Sequence, residues 1–394
     1  YEGRKIHRDV LQEGDWPGAR EFLAKTIDLN RQIAEAKCRA SGKNAYYEAL
    51  TAQYAPDTPL SDIEDWFSAL ETKLKGLLPV VLEKQAKEPE PLPIKDFYPA
   101  KAQMWLNHAL LETVGFDFHR GGLYETGHNP VEGGTPDDTR LVIKNVDTTN
   151  FTLSLRSTLH EGGHGIYTQG LPRKTWRYQP VAQDLGTAVH ESQALLMEMI
   201  IGRMPEFYEF LSPRLEGLFH GMKNPALSAE NLYRFRTRVK PSFNRRNADE
   251  MTYFFHVLLR FRLEKQLIEN TLKLGDLPEA WNAGMEELLG IHPASDKQGC
   301  LQDVHWFVGK FGYFPSYTIG HMIAAQLYAR LEKAVPDVPA RLRAGDFSGV
   351  IGWLGNNVHS KGSLLSWGDM LREATGKPLD PAFLIAHIEK RYAS

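Results

Sequence analysis

Apolar residues recur at three- and four-residue intervals along almost all of this chain, and that period commits it to packed helices. Gly18–Ala40 sets Phe22, Ile27 and Ile33 among charged neighbours, an amphipathic pattern. Ser61 with Glu64 reads as a capping box ahead of Trp66, Phe67 and Leu70. Lys87–Pro93 (KEPEPLP) is a proline-rich break, read as a loop rather than a domain boundary. Ala100–Val114 resumes as helix and stops at Gly115. Beyond Gly186 the spacing predicts helices over about 187–202, 205–219, 227–236, 246–273, 278–289, 300–309, 317–334, 346–358, 363–374 and 381–391. Only Gly121–Val146 departs from this period. It is rich in Gly, Pro, Asp and Thr, and it ends in RLVIKNV, where Leu141, Ile143 and Asn145 alternate with Val142, Lys144 and Val146. A short hairpin or small sheet is expected there. The fold class is therefore mainly α with one small β element, arranged as a single domain over 1–394, in which the N-terminal helical region (residues 1–95) is not independent of the region that follows it (residues 96–394).

The next segment sharpens that outline. Asp147 is a plausible N-cap for a helix running from about Thr149 through STLHEGGHGIYTQG, Ser157 to Gly170. This stretch carries glycines at 162, 163 and 165, each costing about 1 kcal/mol relative to alanine in a helix interior. Without side chains, they would let a neighbouring helix or a substrate come close. The same residues spell His-Glu-x-x-His. On a helix, His160 and His164 lie on one face and can offer imidazole nitrogens to one cation. Glu161 is placed to take a proton from water without being a ligand. The alternative is a surface helix with two exposed histidines.

Composition narrows the function. Apolar residues make up 42% of the chain and charged residues 24%, with a formal charge of −3, which argues against general affinity for nucleic acid or an anionic membrane. The longest apolar runs, such as Leu77–Leu82, fall far short of the roughly 20 residues that span a bilayer. The sequence opens on Tyr1 with no recognisable signal or transit segment. Its two cysteines, Cys38 and Cys300, suggest reduced thiols and a cytoplasmic setting rather than a disulfide framework.

A catalytic zinc site takes a third protein ligand and leaves a position open for water. TAVHESQALLME, Thr187 to Glu198, reads as a helix that could lie beside the first. Glu191 is the expected third ligand, with His190 as its rival. Four further motifs decide between them by resemblance. HESQ at 190–193, DTRLV at 138–142, NRRNAD at 244–249 and GCLQDVHW at 299–306 resemble the marks of the Taq-type metallocarboxypeptidases, zinc-dependent exopeptidases of largely helical fold. GCLQDVHW matches at all five fixed positions, and FGYFPSYTIG at 311–320 is similar to the family's following segment. Val142 stands where the family has Thr, Asn244 where it has Ile, and GHNPV at 127–131 differs from the more usual His-Pro-Phe. These departures bear on substrate preference more than on the chemistry. The resemblance runs from about Phe97 to the C-terminus.

The resemblance implies a large helical zinc-peptidase fold with a deep substrate groove, and a sheet edge able to hold an extended peptide. It implies one Zn2+ per chain on His160, His164 and Glu191, with Co2+ able to substitute, and Glu161 as general base. Arg245 is the matched candidate for the substrate's C-terminal carboxylate, with Arg140 second, since a guanidinium grips a carboxylate through paired hydrogen bonds. Each has a structural alternative: Arg245 pairing with Asp249 or Glu250, and Arg140 with Asp138. His305 and Tyr317 are the candidate donors to the developing oxyanion. Their alternatives are a core histidine tied to Asp303 or packed on Trp306, and aromatic packing with Tyr313 and Phe314. Gln302 and Asp303 are expected to orient these groups. The partners are peptides with a free C-terminus and a second copy in a homodimer. Rival readings are an endo-acting zinc oligopeptidase and a non-catalytic peptide-binding relative.

Overall fold

In the computed structural model, residues 2–126, 131–144, 146–219 and 224–394 are described; four residues of the GHNPV segment (127–130) and Asn145 lie outside them. Helices dominate, and they gather into two compact units, each built from separated stretches of chain. The first comprises Tyr1–Ala86, Val239–Thr318 and Arg391–Ser394; the second comprises Lys87–Arg238 and Ile319–Lys390. The opening stretch of the first unit ends at Ala86, immediately before KEPEPLP. The proline-rich segment is a loop, but it is also where the chain leaves one unit for the other.

In the first unit, Asp15 caps the helix Trp16–Ser41 by accepting from the Gly18 N–H, and Gly42 ends it in the left-handed region at φ 72°. Its buried stripe is Leu23, Ile27, Asn30, Ala34 and Cys38. Ile33, expected on the apolar face, is 46% exposed because this stripe lies one position to its side. The helix Leu60–Ala86 starts one residue before the predicted cap, since Leu60 is itself buried and extends the stripe to Ile63, Phe67 and Leu70. Glu64 pairs with Lys265 instead of closing a capping box. Phe67 meets Phe254 and Phe261 edge-on, with ring centroids 5.6 and 5.0 Å apart. Those two belong to the helix Glu250–Ile268, which is buried almost throughout. Asp249 caps it, accepting from the Met251 and Thr252 N–H groups at 3.0 and 2.9 Å. The predicted helix over 300–309 is a series of turns with one short helical turn at Trp306–Val308. There Gln302 donates to the backbone carbonyls of Phe243, Gln298 and Gly299, and the chain folds around that amide.

The second unit holds the β element, a three-stranded sheet of order β1-β3-β2, with β1 Gly121–Glu125, β2 Val131–Thr135 and β3 Asp138–Ile143. β1 runs parallel to β3 and β2 antiparallel to it. On β3, Thr139, Leu141 and Ile143 face inward and Asp138 and Arg140 outward, the alternation the sequence predicts. The helix Phe151–Gly170 packs on this strand. Its cap is Asn150, whose side chain accepts from the Thr152 N–H at 3.1 Å. Asp147 lies too early for that duty and closes a turn on Thr149. A further helix, Val338–Ala344, begins with a proline in its first turn and ends at Gly345 in the left-handed region. It is too short to show a period in sequence.

Candidate active site

The helix Phe151–Gly170 brings His160 and His164 to one side, with ring centroids 4.9 Å apart. A second helix, Thr187–Leu195, carries Glu191 against them. His160 Nε2 is 3.9 Å from Glu191 Oε1, and His164 Nε2 is 3.7 Å from Glu191 Oε2. One ligand atom from each of the three residues falls within 4.8 Å of the others. Two donors bound to one zinc at ordinary lengths stand roughly 3.3–4.2 Å apart, so this set fits a divalent ion.

Gly163 permits this approach. A Cβ there would lie 2.4 Å from the Gln193 carbonyl oxygen and 2.7 Å from the Ala194 Cα, both backbone atoms of the second helix. On the other side Gly320, in the helix Pro315–Ala334, brings its backbone against the Glu191 side chain: a Cβ would lie 3.1 Å from Glu191 Cβ and Cγ. Of the three helix-weakening glycines, Gly163 marks where two backbones meet, whereas Gly162 and Gly165 make room for the side chains of Leu111, Leu141 and Phe116.

Neighbouring groups fix the imidazoles. His160 Nδ1 lies 2.8 Å from Glu198 Oε2, which leaves Nε2 turned toward Glu191. Glu198 received no role from the sequence. It sits two helical turns after Glu191, in a π-helical turn at Leu196–Ile200, and a lone glutamate inside LLMEMI was its signal. Burial would raise the Glu198 carboxyl, yet the His160 hydrogen bond and Arg156 hold it down at about 2. Burial opposes charge on His160, but Glu191 and Glu198 outweigh it and hold the imidazole up at about 10. Burial, with His190 and His160 nearby, pushes His164 well below its ordinary value. His190 Nδ1 is 2.6 Å from His164 Nδ1, and its Nε2 is 3.7 Å from Glu132 Oε2 on β2. His190 therefore stands behind a histidine of the cluster rather than within it.

Glu161 is 5% exposed, and burial pushes its carboxyl up to about 7 against the pull of His160, with Glu191, Glu132 and Glu198 adding to the rise. Carboxylates gathered in this way beside the His160 and His164 imidazoles form an environment that a cation stabilises.

Arg245, His305 and Tyr317 come together in the first unit. The Arg245 guanidinium is buried, with Nη2 3.2 Å from Asp303 Oδ1 and Nη1 3.1 Å from the Tyr253 hydroxyl. It lies over the Tyr317 ring at 4.6 Å. Asp303 also accepts from Arg260 Nε at 2.6 Å, so two guanidiniums hold its carboxyl far below the ordinary range. Asp249 serves as a helix cap and Glu250 pairs with Arg391, so neither is the ion-pair partner of Arg245. His305 Nε2 lies 3.2 Å from the Tyr317 hydroxyl, while burial drives its imidazole down to about 3. His305 Nδ1 is 3.7 Å from Asp303 Oδ1, beyond hydrogen-bond reach. Arg140 points outward on β3 and pairs with Asp138 at 2.6 Å, both groups more than half exposed.

Two histidines and a carboxylate that could hold a cation, beside a buried glutamate in a largely helical protein, are an arrangement that metal-dependent hydrolases use. Residues 8–392 match the model of the carboxypeptidase Taq (M32) metallopeptidases, and the chain belongs to that family. It is 33% identical to thermostable carboxypeptidase 1 of Pyrococcus furiosus over 396 residues, 98% of this chain and 77% of the relative. Identity to thermostable carboxypeptidase 1 of Thermus thermophilus is also 33%, over 100% of this chain and 77% of that protein. The solved structure of Trypanosoma cruzi metallocarboxypeptidase 1 superimposes with a TM-score of 0.95 at 34% identity, covering 100% of this chain and 78% of that one. The protein is thus a metallocarboxypeptidase, acting on peptides. Among the described residues, no helix is long and apolar enough to cross a membrane.

Proposed function

We propose that the metal is zinc, held by His160, His164 and Glu191, and that Glu161 is the general base for removal of the C-terminal residue of a peptide. The observation that carries this reading is the convergence of three ligand atoms beside a buried Glu161 on the same helix. Zinc, or cobalt in its place, supplies Lewis acidity toward water and the peptide carbonyl. Glu161 accepts a proton from water as the water oxygen attacks the carbonyl carbon. It returns that proton to the amine nitrogen as the C–N bond breaks. Glu198 and His190 keep the imidazoles oriented through both steps.

Arg245 is the proposed partner of the substrate's terminal carboxylate, its charge held in place by Asp303 and Tyr253. Arg140 is the second candidate, more than half exposed on β3 where Arg245 is buried. His305 and Tyr317 are the proposed donors to the oxyanion. Their mutual hydrogen bond, and the low proton affinity of His305, support a neutral donor pair. Residues 1–394 are proposed to work as one catalytic domain, because neither unit is a contiguous segment; a stable proteolytic fragment 1–95 would count against this. A cytoplasmic setting is supported by two free, buried thiols. The proposed homodimer is read by sedimentation velocity.

Glu161→Gln tests the chemistry. It should retain one zinc per chain and lose nearly all turnover. Activity near wild type would remove Glu161 from the mechanism, and loss of zinc would make it a ligand instead.

A further inference from the structure

Asp303 stands between two guanidiniums and does not divide itself evenly. Its Oδ2 accepts from Arg260 Nε at 2.6 Å, a short charge-assisted bond. Its Oδ1 accepts from Arg245 Nε at 3.4 Å and from Nη2 at 3.2 Å, both long for a charged pair. Burial would raise the Asp303 carboxyl, but Arg260, ahead of Arg245, holds it far below the ordinary range.

Nothing in the sequence marks Arg260, yet its surroundings fix it closely. It is fully buried on the helix Glu250–Ile268, with its guanidinium 4.5 Å from the centre of the Trp281 ring on the helix Leu277–Leu289. Nη1 donates to the His256 carbonyl and Nη2 to Gln302 Oε1, each at 2.8 Å. Gln302 Oε1 also accepts from the Arg245 backbone N–H at 3.2 Å. Arg260 therefore binds both of the groups, Gln302 and Asp303, that hold Arg245. The next carboxyl along its helix, Glu264, accepts from Tyr47, Trp306 and Gly312 and is held up at about 8, so it is largely protonated at neutral pH.

The consequence falls on Arg245. Asp303 takes its Nε–H and one N–H of Nη2, and the Tyr253 hydroxyl takes one N–H of Nη1. One N–H is left on each terminal nitrogen, the pair that can meet both oxygens of a carboxylate. One carboxylate between two guanidiniums also leaves a positive charge uncancelled. Released from Arg260, both Asp303 oxygens could close on Arg245, and an arriving carboxylate would meet no net charge.

We propose that Arg260 is a positioning residue for peptide recognition. By binding Asp303 Oδ2 and Gln302, it keeps the Asp303 carboxylate from closing on Arg245 and so leaves Arg245 able to receive the C-terminal carboxylate of a peptide. This rests on Arg245 being the carboxylate partner.

The test is kinetic, on the metal-loaded full chain. Arg260→Met should raise KM for peptides with a free C-terminus about tenfold, the worth of one charge-assisted hydrogen bond, and leave kcat within about twofold. The same peptides with amidated C-termini, measured as competitors, should bind as they do to wild type. In Arg260→Met/Asp303→Asn the charge that would close on Arg245 is gone, and most of the lost KM should return. The double variant also decides the matter if Arg260→Met, with its half-paired buried carboxylate, fails to fold. A KM there as high as that of Arg245→Ala overturns the proposal. So does an unchanged KM in Arg260→Met, or an equal weakening of free and amidated peptides, which is what a merely structural arginine would give. Arg245→Ala, run alongside, separates the two readings. If it leaves KM unmoved, Arg245 is not the carboxylate partner; if it raises KM and Arg260→Met does not, only the role of Arg260 falls.

Discussion

Gly163→Ala is the most direct probe of how this site is assembled. The added methyl would lie 2.4 Å from the Gln193 carbonyl oxygen and 2.7 Å from the Ala194 Cα, where ordinary contact begins at 3.4 Å. The shortfall is about 1 Å, and both obstacles are backbone, so neither can swing aside. The helix Thr187–Leu195 has to move by about that distance. Overpacking of this kind costs about 1–3 kcal/mol, offset by about 1 kcal/mol because alanine favours a helix over glycine. The variant should therefore fold, with a net loss of at most about 2 kcal/mol.

The metal site should suffer more than the fold. Glu191 precedes Gln193 by half a turn and travels with it, while His160 and His164 stay on the other helix. Metal–ligand distances tolerate about 0.2 Å, so a displacement of about 1 Å should weaken zinc at least tenfold. Competition against a chromophoric chelator measures that affinity, and urea unfolding of the metal-free protein measures the fold. Gly162→Ala is the control. Its methyl would meet only Leu111 Cδ2 at 2.5 Å, the free end of a side chain that can turn away. It should bind zinc nearly as wild type does. The reasoning fails if Gly163→Ala binds zinc normally, or if Gly162→Ala weakens it as much.

Two further outcomes are expected. Arg245→Ala should raise KM at least tenfold for peptides with a free C-terminus and narrow the preference over C-terminally amidated ones; unchanged values for both substrates would remove Arg245 from recognition. Burial holds the Glu264 carboxyl up at about 8 despite donors from Tyr47, Trp306 and Gly312. A carboxyl raised on folding keeps its proton in the native state while the unfolded chain loses it, so stability should fall as pH rises from about 5 to 8, by a few kcal/mol at most. Urea unfolding of wild type and Glu264→Gln across that range checks the sign: the variant should lack the slope, and parallel curves would place the titration elsewhere.

What could be read from the sequence divides along a physical line. The helix carrying His160 and His164 was legible because its information is local: a period, a spacing and a run of glycines. The β element was legible because β3 is buried on one face only, so alternation survives at Leu141 and Ile143. Failures came where a distant partner decided. Trp306 and its neighbours looked helical until Gln302 and Asp303 turned inward, the first to three carbonyls and the second to two arginines. The cap is a local exception: Asn150 rather than Asp147 accepts from the Thr152 N–H, because the helix begins at Phe151 and not at Thr149.

Glu198 is the most instructive loss. An apolar run such as LLMEMI reads as core, and one glutamate in it reads as an interruption. Yet a carboxylate placed there without a partner would cost several kcal/mol, so its burial already implied a bound positive group or proton donor. The π-helical turn at Leu196–Ile200 obscures which donor, because it departs from the 3.6-residue period by which faces are assigned. Gly163 shows the complementary case, where an absent side chain was visible in the sequence but the backbone filling its place was not. The ligands announce themselves by local spacing. The groups that orient them are specified by how closely two helices approach, and that distance is written in Gly163 only as an omission.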